Sequence, residues 1–192
     1  IAERGIWTAK KRYILNAWDI EGVRFAEPKL KIMGIEAVKS STPAPCRQMI
    51  KEALRIIMSG TEDNVIDYIA DMRKKFNQME ASLIAFPRSC NNVDKYHSNF
   101  SIYSKGTPIH VRGALLHNHY IKKNVLESKY SCINNGDKIK FCYLSKPNPI
   151  RENVISFMGE LPTELGLNQY IDYTLMFDKS FVEPLKAVLD AI

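Results

Sequence analysis

No Cys-x-x-Cys pair joins any two of the four cysteines, Cys46, Cys90, Cys132 and Cys142, and their spacing is not that of a secreted disulfide framework. That fits a reducing cytosol. No run of roughly 18 or more uncharged apolar residues is present to encode a membrane-spanning helix, and Ile1 opens no signal peptide. Also missing are a Walker glycine loop, a His-x-x-x-His pair, a Ser/His/Asp order and a dense carboxylate cluster, so the chain carries no self-sufficient catalytic set. The histidines are His97, His110, His117 and His119. Joined with Cys132 and Cys142 they have the chemistry of a metal site, but His117 and His119 stand two apart on a helical pattern and diverge, so no metal is expected there. The sequence begins without methionine, directly into Glu3-Arg4-Gly5, and stops within the helical pattern Leu189-Asp190-Ala191-Ile192; a fragment of a longer chain is the expectation.

What is present is a chain of 192 residues, 45% apolar, enough for one packed domain or one domain plus a piece of another. It reads as soluble and globular. The net charge of +6 is unevenly spread. Residues 1–60 hold 11 cations and 6 acids, residues 61–87 hold 3 and 5, residues 88–151 hold 11 and 3, and residues 152–192 hold 2 and 7. Two basic blocks alternating with two acidic ones are the footprint of a protein that lays two surfaces on a polyanion.

The densest basic feature is Lys10-Lys11-Arg12-Tyr13, flanked by the strand-like residues Trp7-Thr8-Ala9 and Ile14-Leu15-Asn16-Ala17-Trp18. Treated as one strand, the run puts Lys10 and Arg12 on one face, while Lys11 interrupts the apolar row Trp7, Ala9, Tyr13, Leu15, Ala17 and needs a polar partner or a route to water. A nucleic-acid contact answers that need; an edge strand whose lysines discourage pairing is the alternative. Asp19-Ile20-Glu21-Gly22 has turn composition, so residues 6–26 are predicted as a β-hairpin that Glu27-Pro28 ends, with Asp19 and Glu21 as turn formers. Lys29-Leu30-Lys31-Ile32-Met33-Gly34 alternates again. Lys39-Ser40-Ser41-Thr42-Pro43 precedes a helix with Thr42 as N-cap and Pro43 as its first residue, a cation and hydroxyls that suit a phosphate as well as an ordinary cap.

That helix is predicted from the stripe Met49, Ile50, Ala53, Leu54, Ile57 and Met58, stopped by Ser59-Gly60. A second, packed against it, follows Thr61 with Val65, Ile66, Ile69, Ala70, Met72, Phe76 and Met79 on one face. Ser82–Pro87 is predicted as a short strand and residues 88–108 as a polar loop, in which Asn91, Asn92, Lys95 and Lys105 have phosphate-binding chemistry. A helix over 109–123 carries His110 and Arg112 at its start. Strands are predicted at 138–144 and 154–157, a helical region from Leu167, and a last helix after a link at Lys179-Ser180-Phe181, with Pro184 in its first turn.

Three motifs in order, Trp7-Thr8-Ala9-Lys10-Lys11-Arg12-Tyr13, Ala26–Gly34 and Lys39–Pro43, closely resemble family B DNA polymerases, specifically the replicative type of T-even-like bacteriophages. Weaker echoes continue in Asn91-Asn92 with Lys95-Tyr96, in His110-Val111-Arg112-Gly113 and in Asp172-Tyr173-Thr174 through Phe181 and Pro184-Leu185. The segment from His97 to Pro108 departs from the Gly/Pro-rich family version. The resemblance implies an α+β fragment, with residues 1–35 as the end of the palm and residues 36–192 as a mainly helical thumb with a small mixed tip. It implies that Lys11 touches the terminal base pairs on the minor-groove side, and that the DNA contacts are drawn from Lys10, Lys11, Arg12, Tyr13, Lys31, Lys39, Ser40, Asn91, Asn92, Lys95, Lys105, His110 and Arg112. The expected partner is a primer–template duplex, with a sliding clamp bound through a C-terminal tail not in this sequence, and no membrane. Magnesium belongs to the parent polymerase, no cofactor to this stretch, and the compartment is the cytoplasm of an infected bacterium. A non-enzymatic nucleic-acid-binding module of another replication or repair protein is the alternative.

Overall fold

The computed structural model describes residues 1–192 and has an α+β fold in two compact units, Ile1–Met79 with Phe177–Ile192, and Glu80–Met176. Residue 35 lies inside the first unit, so the functional boundary expected there is not a boundary of packing. No helix is long and apolar enough to cross a membrane.

The first unit opens with an antiparallel sheet in the order β1 (Ala2–Ala9), β2 (Arg12–Ile20), β3 (Val23–Met33). The chain reverses at Lys10-Lys11, where a single strand was predicted: Ala9 pairs with Arg12, Trp7 pairs with Tyr13, and the register shifts between them. Lys11 has a φ of 62°. The turn contains no Gly, Pro or Asn, the residues whose chemistry announces a reversal, and its flanks have strand propensity on both sides. Lys10 and Arg12 therefore do not share a strand face, and Lys11 does not interrupt an apolar row. The turn predicted at Asp19–Gly22 forms, with Ile20 opposite Val23 and the Asp19 carboxylate accepting from the Gly22 amide, but the hairpin it closes runs from Arg12 to Met33 and not from 6 to 26. Pro28 does not end it. β3 runs through Pro28 because Pro28 lies in the bulge between Arg24 and Lys29, where the register shifts and its missing N–H leaves no ladder bond unmade.

A 3-10 turn at Glu36–Val38 leads to α1 (Ala44–Ser59). Its N-cap is Pro43, with no side-chain cap bond, and Pro45 lies in the first turn; the expected Thr42 cap is absent and Thr42 is buried. All six predicted stripe residues of α1 are buried, and Cys46 joins them. In α2 (Glu62–Phe76), capped by Thr61 and Asn64 reciprocally, only Val65, Met72 and Phe76 of the predicted stripe are buried, while Ile66 is exposed. Tyr68 donates to the Met49 carbonyl and ties the two helices. Phe76 meets Phe177 edge to face at 5.2 Å, and Phe177 meets Phe181 at a tilt at 5.0 Å, all three fully buried. The predicted link at Lys179–Phe181 is instead a π-helical turn, Asp178–Val182, that runs without a break into a terminal helix (Glu183–Leu189), because Ser180 and Phe181 are themselves core residues.

In the second unit, residues 81–84 form a helical turn, α3 (Ala81–Ile84), and not the strand predicted from Ser82; β4 is Phe86–Ser89. A short turn, α4 (Val93–Tyr96), and the long α5 (Ile109–Lys123) follow, then β5 (Lys138–Tyr143), β6 (Val154–Phe157) and the helical turn α6 (Tyr173–Phe177), of which Met176 is the unit's last residue. The helical region expected from Leu167 is broken into 3-10 turns at Thr163–Leu165 and Asn168–Tyr170 ahead of α6. The sheet order is β4-β5-β6, all antiparallel. α5 lies directly on β6: the Ser156 hydroxyl donates to the His110 carbonyl at 2.8 Å, and Gly113 offers no side chain to hold them apart. Cys90, Val93, Val111, Ala114, Leu115, Ile133 and Ile139 fill one buried cluster beside it.

Candidate nucleic-acid interface

The first unit gathers its basic motifs around the Lys10-Lys11 turn. Both lysines are exposed. A left-handed φ on a non-glycine residue costs about 1 kcal/mol; Lys11 holds one, with Gly34 packed against its carbonyl. Gly34 has a φ of 68°, and a Cβ there would meet the Lys11 carbonyl oxygen well inside 3.0 Å and the Arg12 Cγ at 3.1 Å. The end of β3 thereby props the turn. Across the sheet, Trp7 pairs with Tyr13 and Tyr13 with Met33, so these three share one face; Leu15 pairs with Lys31 on the same face. Trp7 is 62% exposed there. Lys31 pairs at 3.5 Å with Glu21.

Arg12 faces the other way, toward the 3-10 turn. Its guanidinium donates to one Glu36 oxygen at 2.9 Å, while the Lys39 ammonium donates to the other at 2.7 Å. One carboxylate thus joins two motifs that are 27 residues apart in sequence. Burial works to raise the Glu36 pKa, but the Lys39 hydrogen bond, the residue's own backbone and the charges of Arg12 and Lys39 outweigh it, and the carboxyl sits below its ordinary range. Ser40, next in the chain, is exposed.

In the second unit Asn91, Asn92, Lys95 and Lys105 are all exposed, and Asn92 precedes α4 with a left-handed φ of 61°. Lys95 lies 5.5 Å from the Tyr96 ring. His110 and Arg112 are only half exposed. The His110 ring lies against Phe141 and beside Arg88; burial first and the Arg88 charge second hold its pKa below the usual histidine value. Arg112 turns inward, donating to Asn153 at 2.6 Å and lying 5.6 Å from the Tyr103 ring, whose hydroxyl in turn donates to Glu152. Arg112 therefore braces the loop through Tyr103. Cys132 and His119 line one open depression with His97 and Phe100, yet no three metal-ligating side chains converge anywhere in the chain.

No family model matches the chain. Among curated proteins it is 37% identical over 191 residues to the DNA-directed DNA polymerase of Escherichia phage RB69, and 35% identical over 191 residues to that of Enterobacteria phage T4, each match covering 97% of the chain. The chain is a relative of the phage DNA polymerases. It spans about a fifth of the length of the curated relatives it matches, 21% in each case. The likeness covers nearly every residue of both units, so the basic turn, the Glu36 cluster and the α5–β6 packing all lie within a polymerase-like stretch.

Sequence reasoning singled out the cations as candidates and did not single out Glu36 or Gly34. Glu36 had one available signal, a lone acid between Lys31 and Lys39 in a basic block. Gly34 had none beyond its place at a strand end, because the need for it arises from Lys11, far off in sequence.

Proposed function

We propose that the chain is the palm end, residues 1–35, and the thumb, residues 36–192, of a DNA-directed DNA polymerase, and that it holds the primer–template duplex by its backbone and minor groove. The observation that carries this is the Lys11 turn: a strained, exposed lysine propped by Gly34, with Arg12 and Lys39 tied beside it through Glu36. Backbone strain held in place by its surroundings marks a position whose geometry matters, and cations on a fixed frame suit a polyanion of fixed shape.

Lys10 and Lys11 extend from the turn toward the primer end, with Tyr13 and Trp7 beside them on an exposed sheet face. Lys39 and Ser40 meet a phosphate, and Asn91, Asn92, Lys95 and Lys105 of the second unit meet phosphates of the product duplex. These groups donate to phosphate oxygens and sugar edges, which fixes register without reading sequence. Within the second unit His110 lies against Phe141 and Arg112 holds Asn153 and Tyr103. Joining nucleotides by two-metal phosphoryl transfer requires carboxylates that hold two cations. Magnesium is therefore a cofactor of the parent enzyme, and this part contributes orientation of the primer terminus. The parent works in the cytoplasm of an infected bacterium and engages its clamp through a segment other than this one.

The test is anisotropy titration of a labelled primer–template with the 192-residue chain. Loss of one charge-assisted contact costs about 1.5–3 kcal/mol, so Lys11→Ala weakens binding about tenfold or more, while Lys75→Ala, an exposed lysine at the end of α2, changes it less than about twofold. Equal effects of the two substitutions would remove Lys11 from the interface.

A further inference from the structure

We propose that Glu36 is a positioning residue that holds Arg12 and Lys39 in the orientation the duplex requires; the inference rests on the duplex-holding function above. The chemistry is counter-intuitive for a polyanion binder. An acid in the middle of a basic cluster subtracts one charge from the surface, and a surface tuned only for attraction would omit it.

The geometry explains what is gained. Glu36 contacts Arg12 at 2.9 Å through one oxygen and Lys39 at 2.7 Å through the other. Two long cationic side chains left beside each other would repel and spread into solvent, each over many rotamers. The carboxylate removes that repulsion and fixes both heads. Its own backbone cannot drift: it lies in a 3-10 turn between Ile35 and Ala37, both fully buried. Gly34, at the head of the same segment, packs on the Lys11 carbonyl. The stretch 34–39 thus touches three of the cations of the first unit's interface: Lys11 through backbone, Arg12 and Lys39 through one carboxylate. Ordering charged side chains before the ligand arrives lowers the entropy lost on binding, which is how an added negative charge strengthens a complex.

The two possible roles of Glu36 differ in sign. Glu36→Gln keeps size and removes charge; if Glu36 positions its neighbours, duplex binding weakens about fivefold, whereas if it only dilutes positive charge, binding strengthens and the salt slope steepens by about one unit. Glu36→Asp keeps the charge but shortens the reach; positioning predicts weaker binding again, charge alone predicts no change. In an Arg12→Ala/Lys39→Ala background nothing is left to position, so Glu36→Gln there leaves binding unchanged or tightens it. The experiment is anisotropy titration of a primer–template with these variants of the 192-residue chain, each checked for a cooperative melt. Weakening by both single variants, with reversal or loss of the effect in the double background, supports the inference. Tighter binding by Glu36→Gln overturns it, as does unchanged binding by a folded Glu36→Asp. Wild-type affinity in the Arg12→Ala/Lys39→Ala protein, together with wild-type affinity of Lys11→Ala, would overturn the interface itself, a different failure.

Discussion

Gly34→Ala and Gly22→Ala both place a methyl group on a residue with positive φ, at 68° and 82°, but only the first has a neighbour in the way. Alanine in the left-handed region costs about 1 kcal/mol relative to glycine. At Gly22 nothing lies within 4 Å of the added carbon, so that cost is the whole effect. At Gly34 the carbon would sit under 3.0 Å from the Lys11 carbonyl oxygen, which is backbone and cannot rotate away. Overpacking of this kind adds about 1–3 kcal/mol, giving roughly 2–4 kcal/mol in total. Relief comes from moving the Lys10-Lys11 turn, so duplex affinity falls with stability in Gly34→Ala and stays unchanged in Gly22→Ala. Urea unfolding measures the first quantity and anisotropy titration the second. Equal destabilisation by the two substitutions, or a destabilised Gly34→Ala that binds duplex normally, would refute the claim that Gly34 props the turn.

Three further outcomes are expected. Gly113→Ala destabilises by about 1–3 kcal/mol, since its Cβ would approach the Ser156 amide at 2.7 Å on the α5–β6 contact; chemical unfolding checks it, and wild-type stability would contradict it. Burial holds the pKa values of His117 and His110 below the ordinary 6.5, so the unfolded chain binds protons first as pH falls and their share of stability, complete above about 6.5, is lost below it. Urea midpoints at pH 7.5 and 5.5 test this, and equal midpoints would contradict it. Burial pushes the thiol of Cys46 up, that of Cys90 up to about 11 and that of Cys142 up to about 12, and only Cys132 is partly exposed; a thiol reagent therefore modifies one cysteine rapidly in the native protein and all four in denaturant.

Elements with strong periodicity were legible in the sequence. The α1 stripe, the α5 span, the Asp19–Gly22 turn and the strands β5 and β6 all form where periodicity, alternation and turn composition put them. The misses share a physical cause, tertiary context overriding local chemistry. The Lys10-Lys11 reversal has no turn residue, and the close approach of Gly34 to the Lys11 carbonyl comes from across the sheet. Proline breaks most strands, but Pro28 sits in a bulge of an edge strand. Ile66 has helix periodicity yet lies exposed on α2. For the interface, the cations were visible in their order along the chain, whereas the acid that binds two of them together depends on approach across 24 residues from Arg12 to Glu36. Arg112, cationic and near a helix start, has the same composition as a phosphate contact; only packing reveals that it faces Asn153 and Tyr103.

The central claim, that this chain grips duplex DNA through its backbone, is tested most directly by measuring affinity against salt for two primer–templates of unrelated sequence. Each phosphate contact contributes about −0.9 to the slope of log K against log salt, so four to six contacts from the exposed cations and their neighbours give roughly −4 to −5. The account predicts that slope, the same for both sequences, and a slope shallower by about one unit in Lys11→Ala. Affinity flat with salt, or a strong preference for one of the two sequences, would contradict it.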